Sequence, residues 1–207
     1  MPEQENLKTD LLTLDPKEFY MKHIIKSHNW YFSEYLKVPA EDLVDKMDFF
    51  KEIVSSNLHI NFHNLQIVGS AKTGYSLSPK KVLRPFHDEI PGIPPSDIDI
   101  AIVSQKLFEN YWEKARHIKG IQYQPYYLNL TKSIFRGYIN DKDLVEIGGV
   151  SREWDELIDP INVTLQDKLG FIHPITYRVY RSWEDLEDYQ LGGILKAKRT
   201  LEGSEHV

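Results

Sequence analysis

Cysteine is absent from all 207 residues. That removes disulfides, cysteine-ligated zinc and thiol catalysis in one step, and it fits a reducing compartment. Long apolar runs are missing too. Nothing approaches the ~20 residues a membrane span needs, and the N-terminal stretch is polar rather than signal-like. The expectation is a soluble, cytoplasmic protein with no membrane association. Basic charge is also not in excess. A formal net charge of −6 argues against a surface that binds nucleic acid throughout, while leaving room for a local basic groove. There is no internal repeat and no low-complexity segment. What the chain does have is apolar content, 41% hydrophobic, so it can bury a substantial core without help. Its length predicts a single domain over 1–207.

Two short stretches stand out. Leu65-Gln66-Ile67-Val68 is an apolar run that stops at Gly69-Ser70, and Ser96-Asp97-Ile98-Asp99 runs on as Ile100-Ala101-Ile102-Val103. Side chains alternate along a strand, so Asp97 and Asp99 share one face, and Ile98 and Ile100 share the other. Two carboxylates on one face repel each other. A hard divalent cation such as Mg²⁺ relieves this, since it takes oxygen ligands and keeps positions open for substrate phosphates. Gly69 permits close backbone approach, and Ser70 offers an N–H and a hydroxyl to a phosphate. A phosphate grip beside a metal grip points to nucleotide chemistry.

This pattern resembles the DNA polymerase β-like nucleotidyltransferase superfamily, whose signature is an apolar strand ending in Gly-Ser, a loop, then Asp-x-Asp on the next strand. Gly74 extends the likeness to Gly-Ser-x-x-x-Gly, as in the bacterial cyclic-oligonucleotide synthases. The resemblance covers Leu58 to Val103 well and the remainder loosely. It implies that Asp97 and Asp99 are the catalytic, Mg²⁺-binding pair, and that Gly69, Ser70 and Lys72 bind the nucleoside triphosphate. The implied reaction moves a nucleoside monophosphate from the triphosphate to a hydroxyl acceptor. Net acidity favours a small molecule, nucleotide or protein as acceptor over a long nucleic acid. Two departures are visible. The loop Tyr75 to Pro95 is long, and no later strand shows the third carboxylate the family usually has. The strand Ile175 to Arg181 carries arginines instead, and Glu146 in Leu144-Val145-Glu146-Ile147 is the nearest substitute. The alternative is therefore a catalytically weakened nucleotide-binding or partner-binding module of a larger complex, its aromatic-rich helices offering an interface. Asp-x-Asp alone also occurs in glycosyltransferases and in haloacid-dehalogenase phosphatases. The former want a larger domain, and the latter want Thr or Val where Ala101 stands.

The remaining pattern predicts an α+β (α/β-like) fold, a small mixed sheet with helices packed on one face. Residues 1–14 are polar and expected to fray. A helical segment spans 15–58, starting at Asp15-Pro16 with Phe19, Tyr20, Ile24, Tyr31 and Tyr35 at rough helical spacing. It breaks at Val38-Pro39 and resumes with Leu43, Met47, Phe50 and Val54 on one face. The motif core is 59–104, with a helical turn at Ala71 to Leu77. In the following loop Lys80, Lys81 and Arg84 either face a triphosphate or solvate the loop, and His87, Asp88 and Glu89 read as solvated. The C-terminal part, 105–201, predicts helices at Gln105–Ile118, at Leu130–Tyr138 (with Lys132 and Arg136 on one face) and at Arg152–Leu169, the last interrupted at Asp159-Pro160. Turns fall at Asn140–Asp143 and Gly148-Gly149. A strand at Ile175–Arg181 then leads to a final helix capped by Ser182, and 202–207 is a tail.

Overall fold

The computed structural model describes residues 2–147 and 149–204. Four strands form one mixed sheet: β1 (Leu65–Val68), β2 (Ile98–Val103), β3 (Tyr138–Asn140) and β4 (Ile175–Tyr180), in the order β1-β2-β4-β3. β1 runs antiparallel to β2, β2 parallel to β4, and β3 antiparallel to β4. The acid-bearing strand is thus central, with Asp99 opposite Val68 on one side and Thr176 on the other. The helices are α1 (Pro2–Thr13), α2 (Pro16–Phe19), α3 (Leu43–Leu58), α4 (Ser70–Thr73), α5 (Gln105–Arg116), α6 (Tyr127–Phe135), α7 (Asp141–Val145), α8 (Val150–Leu169) and α9 (Trp183–Ser204). Among the described residues, no helix is long and apolar enough to cross a membrane. The α+β fold with a small mixed sheet is as the sequence implies.

Strand alternation sorts the sheet into two faces. Ile98, Ile100, Ile102, Tyr177, Val179 and Ile139 point into the main core. There they meet Phe50, Val54 and Leu58 of α3, and Trp154, Ile158, Ile161 and Leu165 of α8. Each such side chain contributes about 1.5–3 kcal/mol by leaving water. The other face is covered at one end only. Val68, Ala101, Val103, Tyr138 and Tyr180 pack there with Leu186 and Tyr189 of α9. Helices therefore lie on both faces, not one. The reason is that Ala101, Val103 and Tyr180 make a second apolar patch beyond the polar Asp99.

Several elements differ from expectation. The N-terminal stretch does not fray. It forms α1, whose Leu7 and Leu11 bury against Ile194, Ala197 and Leu201 of α9. A two-leucine stripe at i, i+4 suffices where a partner face is waiting. Asp15 caps α2 with a full capping box and Pro16 in its first turn, but the helix widens to π-helix at Tyr20–Ile25, leaves helical geometry over 26–29, and is followed by a separate π-helical segment at Tyr31–Tyr35. The turn after β1 is shorter than predicted, because Gly74 ends α4 at φ 77°, where a Cβ would lie 2.8 Å from the Trp30 ring. α6 starts at Tyr127 and stops at Phe135, and Tyr138–Asn140 are strand, not helix end. α8 runs through Pro160 without interruption, its buried Ile158 and Ile161 holding it to the core across the lost hydrogen bond. Asn140–Asp143 is the junction from β3 into α7. Of the predicted Gly148-Gly149 break, Gly149 sits just before α8 at φ 86° and Gly148 lies outside the described residues. The predicted tail is helical to Ser204, and 205–207 lie outside the described residues.

Candidate functional site

The site starts where β1 ends. Val68 pairs with Asp99, and the chain then turns at Gly69 with φ 66° and ψ −151°, a conformation essentially confined to glycine. A Cβ at Gly69 would lie 2.4 Å from Asp99 Oδ2, so the backbone passes directly against the carboxylate. Ser70 opens α4 immediately after. Gly69, Ser70, Asp97 and Asp99 all line one cleft of about 710 Å³. Four of the five residues singled out from the sequence are thereby brought together.

Lys72 is the fifth, and it is not among the residues lining the cleft. It is buried, with its ammonium donating to the Ser27 carbonyl at 2.6 Å, and burial lowers its pKa to about 8. Residues two apart on a helical turn point to opposite sides, so Ser70 in the cleft sends Lys72 away from it.

The acid pair is electrostatically strained. Burial, and then the charge of Asp97, raise the pKa of Asp99. Arg178, a hydrogen bond from the Thr176 hydroxyl to Oδ1 (3.0 Å) and Lys81 oppose that rise. Two neighbouring carboxylates short of positive charge are a fitting donor set for Mg²⁺, a hard, oxygen-seeking ion. Among the described residues no group of three or more His, Asp or Glu is placed to hold a metal. An ion on Asp97 and Asp99 would fill its remaining positions with water and phosphate oxygens, the usual Mg²⁺ arrangement.

Arg178 is the main cleft residue that the sequence motifs do not mark. It sits on β4 opposite Ala101, on the acid face of the sheet. Its Nε donates to Asn140 Oδ1 at 2.6 Å, and its guanidinium lies 4.4 Å from the Tyr189 ring centroid and 5.5 Å from that of Tyr138. The signal was present as polar–apolar alternation: Thr176 and Arg178 interleave with Ile175, Tyr177 and Val179.

No carboxylate stands on the cleft side of β4, which presents Thr176 and Arg178. Glu146 is exposed at the end of α7 and does not line the cleft. Asp141, the first residue of α7, opens on a side chamber of about 100 Å³ shared with Asp97 and Asp99. Its oxygens are already engaged: Oδ2 accepts from the Tyr177 N–H at 2.8 Å and Oδ1 from the Lys142 N–H at 2.6 Å. Burial raises its pKa, and those backbone bonds oppose the rise. Asp141 thus clasps α7 to β4.

The walls carry both signs of charge. Of the three basic loop residues, Lys81 lines the cleft, and Lys80 and Arg84 do not. Arg136, at the end of α6, lines it while Lys132 does not. Asp188 and Lys196 come from α9. Farther along the loop, Asp88 is a tether rather than a merely solvated acid, accepting from the Tyr35 hydroxyl (2.6 Å) and lying 3.1 Å from His173 Nε2.

No protein-family model, curated protein or solved structure matches the chain. The family likeness therefore rests on Gly69-Ser70 and Asp97-Ile98-Asp99. Chemically, the arrangement is a sizeable cleft lined by paired carboxylates and a serine, with Lys81, Arg136, Arg178 and Lys196 and the acids Asp185 and Asp188 also on its walls.

Proposed function

We propose that the chain is a Mg²⁺-dependent nucleotidyltransferase that moves a nucleoside monophosphate from a triphosphate to a hydroxyl acceptor. One observation carries the reading: the backbone at Gly69 presses on Asp99, so that Ser70, Asp97 and Asp99 face one cleft. Its volume, about 710 Å³, lies within the ~300–1,000 Å³ typical of small-molecule sites. In this reading Ser70 receives the terminal phosphates, Asp97 and Asp99 hold the ion, and Lys81 and Arg136 draw in the anionic ligand. The ion would screen phosphate charge and lower the pKa of a bound hydroxyl. The acceptor hydroxyl would give its proton to water as its oxygen attacks the α-phosphorus, and pyrophosphate would leave with the electron pair of the broken P–O bond. Positioning and electrostatics supply most of the rate. A net charge of −6 supports a small-molecule, nucleotide or protein acceptor, and the lack of cysteine supports a cytoplasmic setting.

A second reading, a nucleotide-binding module without turnover, is favoured by Thr176 and Arg178 standing on β4, where the resemblance would have an acid. Titration calorimetry with each ribonucleoside triphosphate, with and without Mg²⁺, tests the shared part. Asp97→Ala/Asp99→Ala is expected to lose at least about 100-fold in Mg²⁺-dependent affinity, as two charged ligands are removed. Equal binding by wild type and variant would remove the site from consideration. Transfer of an α-phosphate radiolabel to added hydroxyl compounds then separates turnover from binding alone.

A further inference from the structure

We infer that Arg178 supplies the second positive charge of this site: the cleft takes one divalent ion, on Asp97 and Asp99, and Arg178 grips the phosphate of the ligand directly. The inference rests on the reading above and deepens it. In two-metal phosphoryl transfer two ions share the negative charge of the attacking and leaving oxygens. Here the strand beside the acid strand offers a fixed cation instead.

Three observations carry this. The first is placement. Arg178 lies on the same sheet face as Asp99, one strand over, and lines both the main cleft and the side chamber with Asp97 and Asp99. The second is rigidity. Asn140 holds Nε, the Tyr180 hydroxyl lies 3.4 Å from Nη1, and the Tyr189 and Tyr138 rings flank the guanidinium. A planar cation held by a hydrogen bond and flanked by aromatic rings is pre-organised, losing little freedom on binding an anion. The third is unused capacity. Those two contacts engage Nε and one Nη of a group with five N–H donors. Among the described residues no carboxylate forms an ion pair with Arg178, and no fully buried side-chain nitrogen or oxygen is left without a partner. The free donors therefore open on the cleft, in the fork that matches phosphate oxygens. A second divalent ion on the same two carboxylates would sit beside this fixed cation, with no third acid on β4 to offset it.

The probes are Mn²⁺ alone and inorganic tripolyphosphate with Mn²⁺. Wild-type protein is expected to bind one Mn²⁺ per chain by electron paramagnetic resonance, with tripolyphosphate present. Arg178→Met keeps the length and loses the charge. It should bind tripolyphosphate roughly 10- to 100-fold more weakly, the scale of a charged hydrogen-bonding contact, while binding Mn²⁺ alone as tightly as wild type or tighter. Arg178→Lys should recover part of the tripolyphosphate affinity. Two Mn²⁺ per chain in wild type, or tripolyphosphate affinity unchanged in Arg178→Met, would overturn the inference. The wild-type stoichiometry needs no variant, so it decides even where Arg178→Met fails to fold. Asp97→Asn/Asp99→Asn keeps the two failures apart. If that variant loses Mn²⁺ and Arg178→Met binds tripolyphosphate like wild type, the site stands and the role of Arg178 falls. If it binds Mn²⁺ like wild type, the nucleotidyltransferase site itself falls.

Discussion

On β2 and β4 the side chains alternate between two faces that ask opposite things of them. Ile98, Ile100, Ile102, Tyr177 and Val179 are at most 2% exposed, in a core closed by α3 and α8. One residue along each time, Asp99, Thr176 and Arg178 meet an open cleft. The closed face gains from burial. The open face holds two carboxylates together, and burial and the charge of Asp97 disfavour the ionised Asp99, which costs free energy. The difference teaches that the cleft is not a stability feature. It is tolerated because the same backbone is pinned from behind.

Substitutions on the two faces should therefore act in opposite directions. The largest effect belongs to the closed face. Ile100→Ala should cost about 3 kcal/mol, combining lost transfer energy with a cavity. A lower urea midpoint at unchanged m-value would show it, and a shift below about 1 kcal/mol would mean the core closes over the gap. Gly69→Ala comes next, at about 2 kcal/mol, because the new methyl meets Asp99 and the residue is held at positive φ. It should also weaken Mg²⁺-dependent triphosphate binding, since Asp99 must swing aside. Full stability and full binding in that variant would show that the approach is not tight. Asp99→Asn should reverse the sign. Burial and Asp97 disfavour the ionised carboxyl, and asparagine keeps an acceptor for Thr176. The melting temperature in chelator should rise by a few degrees, roughly 1 kcal/mol, while metal-dependent binding is lost. A fall in melting temperature would show that Asp99 stabilises the fold.

The same contrast explains what could be read without a structure. β1, β2 and β4 were legible because each is an apolar or alternating run bounded by turn residues. β3 was not, being three residues long and continuous in pattern with α6. α1 was hidden because its two buried leucines mean little until α9, almost the whole chain away, supplies their partner face. In the site, the acid pair was legible because its spacing is local. Arg178 and Thr176 were visible as residues but not as neighbours of the acids, since Thr176 and Asp99 are 77 positions apart and meet only through parallel pairing. Lys72 was misplaced for the opposite reason. The resemblance put it on the triphosphate together with Ser70, two residues earlier, and a helical turn sends the two apart.

The smallest predicted effect lies where the two faces are joined. His173, just before β4, is buried beside Phe86, with ring centroids 4.6 Å apart. Its Nδ1 lies 3.2 Å from the Tyr31 hydroxyl, and its Nε2 faces Asp88, in the loop that enters the acid strand. Burial lowers its pKa from the ordinary 6.5, Asp88 pulls it up, and His87 adds a smaller push down. The folded pKa is thus below the unfolded one, so the unfolded chain takes the proton first. Stability should fall as pH drops below about 6.5 and level off once the folded pKa is passed. Urea midpoints of wild type and His173→Gln between pH 7.5 and 5 isolate the contribution, because the other titrating groups are common to both. Wild type should lose its advantage as the pH falls. If the advantage grows instead, the Asp88 pairing outweighs burial, and the joint between core and cleft is an ion pair rather than a neutral tether.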